Sequence, residues 1–316
     1  MADDLITVRH LDKIYNFGKS NQFQAVFDIN FSIKKGETFV LVGESGSGKS
    51  TTSRILLDLD QPTHGNVFFE GQDISKLSKK ERTKLHKKMS VVFQNPTASL
   101  NPRMTIQDII GRGIKIHGLA KTKAELAKRI KENLLAVGLD ESYLKRNPLE
   151  LSGGQAQRVG IARALAVEPE FLVADEAISA LDVSIQAQIV NLLIKLKKSR
   201  DLTYLFIIHD LSMAKYLGDR IAVMDSGHLV ELASAQDIFD HPMHPYTINL
   251  LNAIPSPYPL ERQTKSKRER NQRPYAFLNK KADDRQMHEI SPGHFLYCTD
   301  DEAATMISLN QTEAFS

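Results

Sequence analysis

Between residues 26 and 33 apolar and polar side chains alternate with period two (Val26-Phe27-Asp28-Ile29-Asn30-Phe31-Ser32-Ile33), which predicts a strand with one buried face. Leu5-Ile6-Thr7-Val8 predicts a short strand before it, and Lys34-Lys35-Gly36-Glu37 a turn after it. Thr38-Phe39-Val40-Leu41-Val42 does not alternate. An unbroken apolar run of that length fits a strand covered on both faces, as in a parallel sheet. A glycine-rich stretch over 43–48 follows, and helical patterning begins at Lys49.

The period changes over 96–150. Ile106, Ile109, Ile110 and Ile114 recur at helical spacing, as do Leu126, Ile130, Leu134 and Leu135. Thr122 with Glu125 has the spacing of a capping box at the start of the second helix. Together these predict a helical insert, about residues 96–165, inside an α/β domain. Alternation then resumes: Phe171-Leu172-Val173-Ala174 is a strand, 183–199 an amphipathic helix with Ile185, Ile189, Leu192, Leu193 and Leu196 inward, and Tyr204-Leu205-Phe206-Ile207-Ile208 a buried strand. Strands separated by helices predict a mostly parallel sheet. Beyond about residue 255 the pattern fades. Ile254-Pro255-Ser256-Pro257-Tyr258-Pro259 reads as an extended linker, since each proline disfavours helix before it. Residues 261–273, with six basic residues against Glu261 and Glu269, read as a solvated tail. The division expected is a domain over 1–255 and an extension over 256–316.

Composition narrows the classes. The 316 residues amount to about two domains at roughly 150 residues each. With 41% hydrophobic and 25% charged residues, neither a disordered nor a fibrous chain fits. The net charge of +3 is too small a bias to imply a nucleic-acid partner. A single cysteine, Cys298, excludes an intramolecular disulfide framework and suits a reducing compartment. The acidic start Met1-Ala2-Asp3-Asp4 has no apolar segment behind it, and no run approaches the roughly 18 apolar residues of a membrane span. The expectation is a soluble, intracellular chain.

Gly43-Glu44-Ser45-Gly46-Ser47-Gly48-Lys49-Ser50, followed by Thr51, fits the P-loop pattern and lies between a buried strand and a helix, the context that motif demands. Glycines let backbone N–H groups turn inward as an anion nest, and the helix N-terminus adds its positive end. Lys49 would reach the β/γ-phosphates, and the Ser50 hydroxyl would ligate Mg²⁺. The pair Asp175-Glu176 follows a buried strand. In P-loop enzymes an Asp there holds Mg²⁺, and an adjacent Glu can polarise the attacking water.

Leu151-Ser152-Gly153-Gly154-Gln155 has capping-box spacing and two glycines with bare amides, so it is a second anion-seeking helix start. One chain with one P-loop has no second triphosphate to put there. Two subunits arranged head to tail resolve this, each giving its serine-glycine helix start to the other's γ-phosphate. The pentapeptide resembles the signature of ATP-binding cassette (ABC) ATPases. That resemblance implies an α/β, RecA-like P-loop core with an N-terminal antiparallel β subdomain and the helical insert. It implies an adenine-stacking role for Tyr15, and contact of Gln94 with Mg²⁺, the attacking water and the membrane partner. Ser179-Ala180-Leu181-Asp182 resembles the family's loop across the dimer interface, and His209 its switch histidine on the γ-phosphate. Ala177 departs from the proline common in the family, from which a looser loop is expected.

Within the family the chain resembles ATP-binding subunits of oligopeptide or dipeptide importers. The resemblance rests on Phe93-Gln94-Asn95-Pro96-Thr97-Ala98-Ser99-Leu100-Asn101-Pro102-Arg103, on Leu181-Asp182-Val183-Ser184-Ile185-Gln186-Ala187-Gln188 and on His244-Pro245-Tyr246-Thr247. Arg273-Pro274-Tyr275-Ala276 and Pro292-Gly293-His294 echo a region that in many relatives carries iron–sulfur cysteines. Cys298 by itself cannot hold such a cluster, so none is expected, and the tail resembles F-type subunits of Gram-positive-like oligopeptide systems. The implied partners are a second cassette (a paralogue or a second copy), two transmembrane permease subunits and, indirectly, an extracellular peptide-binding protein, at the cytoplasmic face of the membrane. Cassettes for dipeptide or nickel import, or linked to nucleic acid, are the alternatives. The basic run Lys76–Lys88 is the one hint of the last, and it reads as a solvated surface.

Overall fold

The computed structural model describes residues 4–177, 182–254 and 284–313. The chain opens with two long strands, β1 (Asp4–Tyr15) and β2 (Phe23–Lys34), followed by β3 (Thr38–Val42) and α1 (Lys49–Leu56). Next come β4 (His64–Phe69), β5 (Gln72–Asp73), α2 (Lys79–Lys88) and β6 (Met89–Val92). Four helices then fill 96–165: α3 (Pro96–Ser99), α4 (Ile106–Ile116), α5 (Lys123–Ala136) and α6 (Gly153–Leu165). The α/β alternation continues with β7 (Phe171–Asp175), α7 (Val183–Arg200), β8 (Thr203–Ile208), α8 (Leu211–Leu217), β9 (Arg220–Asp225) and β10 (His228–Ser234). The described chain ends with α9 (Ala235–Asp240), α10 (Pro245–Asn252), a hairpin of β11 (Gln286–Ser291) and β12 (His294–Cys298), and α11 (Asp300–Glu313).

The strands form two sheets. One is antiparallel, in the order β2-β1-β4-β5; the other runs β11-β12-β10-β9-β3-β8-β7-β6. Strands β9, β3, β8, β7 and β6 are mutually parallel, whereas β10, β12 and β11 pair antiparallel at the far edge. In β3 the unbroken apolar run serves both faces. Val40 and Val42 join the cluster built on the insert helices and α7, while Phe39 and Leu41 join the cluster under the antiparallel sheet. Phe31 of β2 stacks on Phe39 of β3, ring centroids 5.2 Å apart, and so fixes one sheet to the other.

The elements differ from the sequence reading in a few places. Strand β1 continues seven residues past Val8, across register shifts between Val8, Leu11 and Lys13 that break its alternation. Thr122 caps α5 as expected, its Oγ1 accepting from Glu125 N at 3.1 Å. The Glu125 carboxylate, however, accepts from Lys121 N rather than from the Thr122 N–H, so the box is displaced by one residue. The tail beyond 283 is not featureless: β12 pairs with β10, so the hairpin extends the large sheet. The linker at 255–259 and the basic stretch 261–273 lie outside the described residues, and so does Arg273–Ala276. No helix of the described residues is long and apolar enough to cross a membrane.

Candidate functional site

Parallel strands put their C-terminal ends on one side of a sheet, where connecting loops and helix N-termini leave a crevice. Four neighbouring strands, β6-β7-β8-β3, each end there in candidate residues. Register sets them level: Val92 pairs with Ala174, Asp175 with Ile207, and Ile208 with Val42. Gln94 therefore stands two residues beyond the end of β6, Asp175 and Glu176 at the end of β7, His209 just past β8, and the loop from Gly43 just past β3.

The loop after β3 depends on glycine at two points. Gly43 has φ 152°, and a Cβ there would sit 2.1 Å from the Met224 carbonyl oxygen. Gly48, at φ 101°, caps α1, and a Cβ there would meet the Ala25 carbonyl oxygen at 2.6 Å. Glu44, Ser45 and Gly46 are exposed, and Ser47 is buried. The Lys49 ammonium is folded back into the loop, donating to Gly43 O (2.8 Å), Glu44 O (2.7 Å) and Ser47 Oγ (3.2 Å). Burial lowers the Lys49 pKa, against the opposing pull of Glu176, Asp175 and Glu44.

The acidic pair behaves differently at its two positions. Burial, then the neighbouring Glu176 charge, raises the Asp175 pKa, while Lys49, the Ser50 hydroxyl and Arg54 pull it back. Glu176 occupies a left-handed backbone conformation (φ 45°), and its N–H donates to Ile207 O at 3.0 Å, so β8 fixes it. Its Oε2 accepts from Gln94 Nε2 at 2.5 Å. Asp175 and Ser50 offer hard oxygen donors beside Lys49, and Gln94 keeps its carbonyl oxygen as an acceptor; this donor chemistry fits Mg²⁺.

Tyr15 lies at the end of β1 beside α1. Its hydroxyl donates to Asp60 Oδ2 (3.2 Å) and lies 3.5 Å from Thr51 Oγ1. Lys13 Nζ sits 4.9 Å from the ring centroid and donates to Asp60 Oδ1 at 2.7 Å. Burial pushes the Asp60 carboxyl up, but hydrogen bonds from Lys13, Gln61 and Tyr15 outweigh it and hold the carboxyl low. Lys13 and Asp60 fix the ring plane of Tyr15, and the sequence reading missed both. They belong to different elements, 47 residues apart, so no motif joins them.

Ser152 opens α6 with a complete capping box: Gln155 N donates to Ser152 Oγ (3.4 Å) and Ser152 N to Gln155 Oε1 (2.9 Å). Gln155 Nε2 donates to Tyr143 Oη, and a Cβ on Gly154 would meet Ile185 Cγ2 at 2.8 Å. Gly154 thus also allows α6 to pack on α7. Among the described residues no hydrogen bond joins Ser152–Gln155 to the loop over 43–51 of the same chain. Residues 179–181 of the expected interface loop lie outside the described residues; Asp182 precedes α7. Ala177 is buried, and its carbonyl accepts from Gln157 Nε2 at 2.6 Å, so α6 tethers the residue that replaces proline.

Three of the seven Lys/Arg in the basic run, Lys76, Arg82 and Lys88, meet acidic side chains. Arg82 meets Asp58, Lys76 meets Asp73 at 3.1 Å, and Lys88 meets Glu70 and Glu170. Cys298 is buried in an apolar cluster with Met243, Ile290 and Leu296, where burial pushes its thiol up to about 12.

A triphosphate loop, an acidic pair and a glutamine at neighbouring strand ends define a P-loop ATPase of the cassette class. Residues 26–179 match the ABC transporter family, and residues 230–280 match the oligopeptide/dipeptide transporter C-terminal region. The chain is 50% identical over 303 residues to the oligopeptide transport ATP-binding protein OppF of Bacillus subtilis, covering 96% of this chain and 98% of that one. It is 47% identical over 304 residues to the dipeptide transport ATP-binding protein DppF of Lactococcus lactis, covering 95% of each. Among solved structures, a dimeric ATP-binding cassette in a post-hydrolysis state with ADP and Pi superposes with a TM-score of 0.66. It is 34% identical and covers 73% of this chain and 98% of its own. The chain belongs to the ABC transporter family and is one of its ATP-binding, ATP-hydrolysing subunits.

Proposed function

We propose that this ATPase powers an importer of oligopeptides from the cytoplasmic face of the membrane. It works there with a second cassette, two transmembrane permease subunits and, indirectly, an extracellular peptide-binding protein. The observation that carries the catalytic part is the shared strand-end platform: Gln94, Asp175-Glu176, His209 and the loop 43–50 stand on four adjacent parallel strands. The cargo is read from the relatives' names and from the match over 230–280. A dipeptide cargo is the second reading, favoured by the Lactococcus lactis relative. Residues 1–255 are read as the ATPase domain, with the helical insert over 96–165 turned to the permease, and 256–316 as the transporter-specific extension.

ATP enters on the loop Gly43–Thr51. Lys49, keeping its contact to Gly43 O and exchanging those to Glu44 O and Ser47 Oγ, neutralises the β/γ-phosphates, while the amides of 45–48 turn toward them. The ring of Tyr15 stacks on the adenine. Ser50, Asp175 and Gln94 would hold Mg²⁺, whose charge offsets that of the phosphates. A second cassette lays its own Ser152, Gly153, Gly154 and Gln155 over the γ-phosphate, where bare helix-start amides favour anionic oxygen. Glu176 orients water for in-line attack, and His209 and Gln94 hold the geometry. Such catalysis is positioning plus electrostatics, so an isolated chain hydrolyses ATP slowly.

Replacing Glu176 by Gln keeps the shape and removes the base. The variant should bind ATP, pair stably with a second cassette and lose turnover by about 10²-fold or more. Phosphate release and size-exclusion chromatography with ATP check this; full turnover by Glu176→Gln would contradict the role given to Glu176.

A further inference from the structure

Tyr246, Glu231 and His294 play no part in the nucleotide site as described, yet hydrogen bonds join all three to it. The Gly43–Glu44 peptide lies between two groups. Its carbonyl, Gly43 O, accepts from Lys49 Nζ at 2.8 Å, and its N–H, on Glu44, donates to Tyr246 Oη at 2.9 Å. The plane of that peptide is therefore held from both ends. No side chain on Gly43 could take over, since a Cβ there would strike the Met224 carbonyl.

Tyr246 is itself placed by the core. It lies in the first turn of α10, where its N–H donates to His244 Nδ1 at 3.2 Å. His244 N–H donates to Glu231 Oε2 (3.0 Å), and Met243 N–H to Glu231 Oε1 (2.7 Å). Glu231, on β10, is fully buried, and its Oε1 also meets Nε2 of the buried His294 at 2.8 Å. His294 is the first residue of β12, in the hairpin that adds to the sheet edge beside β10. A buried carboxylate holds its donors firmly, because losing one leaves a polar group unsatisfied away from water. The series from Glu44 to His294 thus links the phosphate loop to the C-terminal hairpin, 202 residues separating Glu44 from Tyr246.

We propose that Tyr246 is a positioning residue of the phosphate loop, and that the C-terminal hairpin, acting through Glu231 and His244, sets how well the loop holds a nucleoside triphosphate. This rests on the reading of the Lys49 loop as the ATP site. With the hydroxyl in place, the Gly43 carbonyl stays turned to the Lys49 ammonium. Without it the peptide is free to rotate, which points a carbonyl oxygen at the incoming anion and leaves Lys49 less fixed. Both changes weaken ATP binding and leave Glu176 untouched, so the effect falls on KM rather than kcat.

Tyr246→Phe removes only the hydroxyl. In the full chain it should raise the ATP Kd and KM about three- to tenfold, the worth of one neutral hydrogen bond, with kcat within about twofold. His294→Ala should shift the ATP Kd in the same direction, without adding to Tyr246→Phe in the double variant, and His294→Gln, which keeps a donor for Glu231, should restore it. Should His294→Ala fail to fold, reciprocity supplies the second readout: ATP should slow amide hydrogen exchange over 286–298 in the unaltered chain but not in Tyr246→Phe. An ATP affinity indifferent to Tyr246→Phe, additive single effects, or a hairpin whose exchange ignores ATP would overturn the proposal. An unaltered chain that binds no ATP would instead overturn the reading of the loop on which it rests.

Discussion

Gln94 Nε2 donates to Glu176 Oε2 at 2.5 Å, joining side chains 82 residues apart at the ends of adjacent strands β6 and β7. The segment after Gln94 is fastened to the insert. Arg163 of α6 donates to Ser99 O at 2.6 Å and lies 5.8 Å from the Phe93 ring centroid. A displacement of the insert therefore reaches Glu176 through one short side chain. Gln94→Ala should lower kcat about tenfold, less than outright loss of a general base costs, and should raise the Mg²⁺ needed for half-maximal turnover, with the Kd for ATP without Mg²⁺ within about twofold. Phosphate-release kinetics beside equilibrium binding of ATP without Mg²⁺ separate the effects; a matching loss of that affinity would move Gln94 into direct binding of the phosphates.

The raised pKa of Asp175 gives the site an acid limb. Burial and the Glu176 charge favour the protonated form, so as pH falls Asp175 loses its charge earlier than a solvated aspartate near 3.9 does. A protonated carboxyl is a poor ligand for a hard cation, so the Mg²⁺ concentration for half-maximal turnover should rise as the pH drops, at a higher pH than a solvated aspartate would give. The lowered pKa of Lys49 gives an alkaline limb by the opposite sign, since that cation is lost below its ordinary range. Mg²⁺ titrations of turnover at a series of pH values check this. Asp175→Asn should abolish the acid limb along with most Mg²⁺ dependence.

Fold stability has a sensitive point at Arg220. Its guanidinium donates from Nε to Glu37 Oε1 (2.6 Å), and from one Nη to Glu37 Oε2 (3.1 Å) and to Ser32 O (2.6 Å), pinning the turn before β3 to β9. Glu37 is buried. Arg220→Ala leaves that carboxylate with the Lys34 N–H but no cation and should destabilise the chain by about 3 kcal/mol, read from the urea midpoint. Replacing both partners by apolar residues of similar size should cost less than the single change, because no charge is then stranded.

Contiguous chemistry was legible in the sequence, and so were strands with uniform patterning. The run 38–42 and the helix start at Lys49 appear with those bounds because β3 is buried on both faces and the glycine loop ends it sharply. The full length of β1 was not legible, since its bulges put Asp12 and Lys13 where alternation would demand other residues. The hairpin β11–β12 was hidden for a related reason. Its residues 286–291, Gln-Met-His-Glu-Ile-Ser, are mostly polar; the strand buries Ile290 alone and otherwise depends on pairing at a sheet edge. At the site, the loop 43–50 and the box 152–155 are local and readable. The contacts around the site, Tyr246 to Glu44, Lys13 to Asp60 and Gln157 to Ala177, join distant segments and become visible only in the folded chain.

The claim that two molecules share each ATP is tested most directly by turnover per chain as a function of concentration, with Ser152→Arg as the companion variant. Activity per chain should climb as chains are brought together or as the second cassette is added. Ser152→Arg should remove that activity by about 10³-fold while binding ATP at its own Lys49 with a Kd within about twofold of the unaltered chain. Turnover that stays constant per chain at dilutions where only single molecules exist, and that ignores Ser152→Arg, would contradict the account.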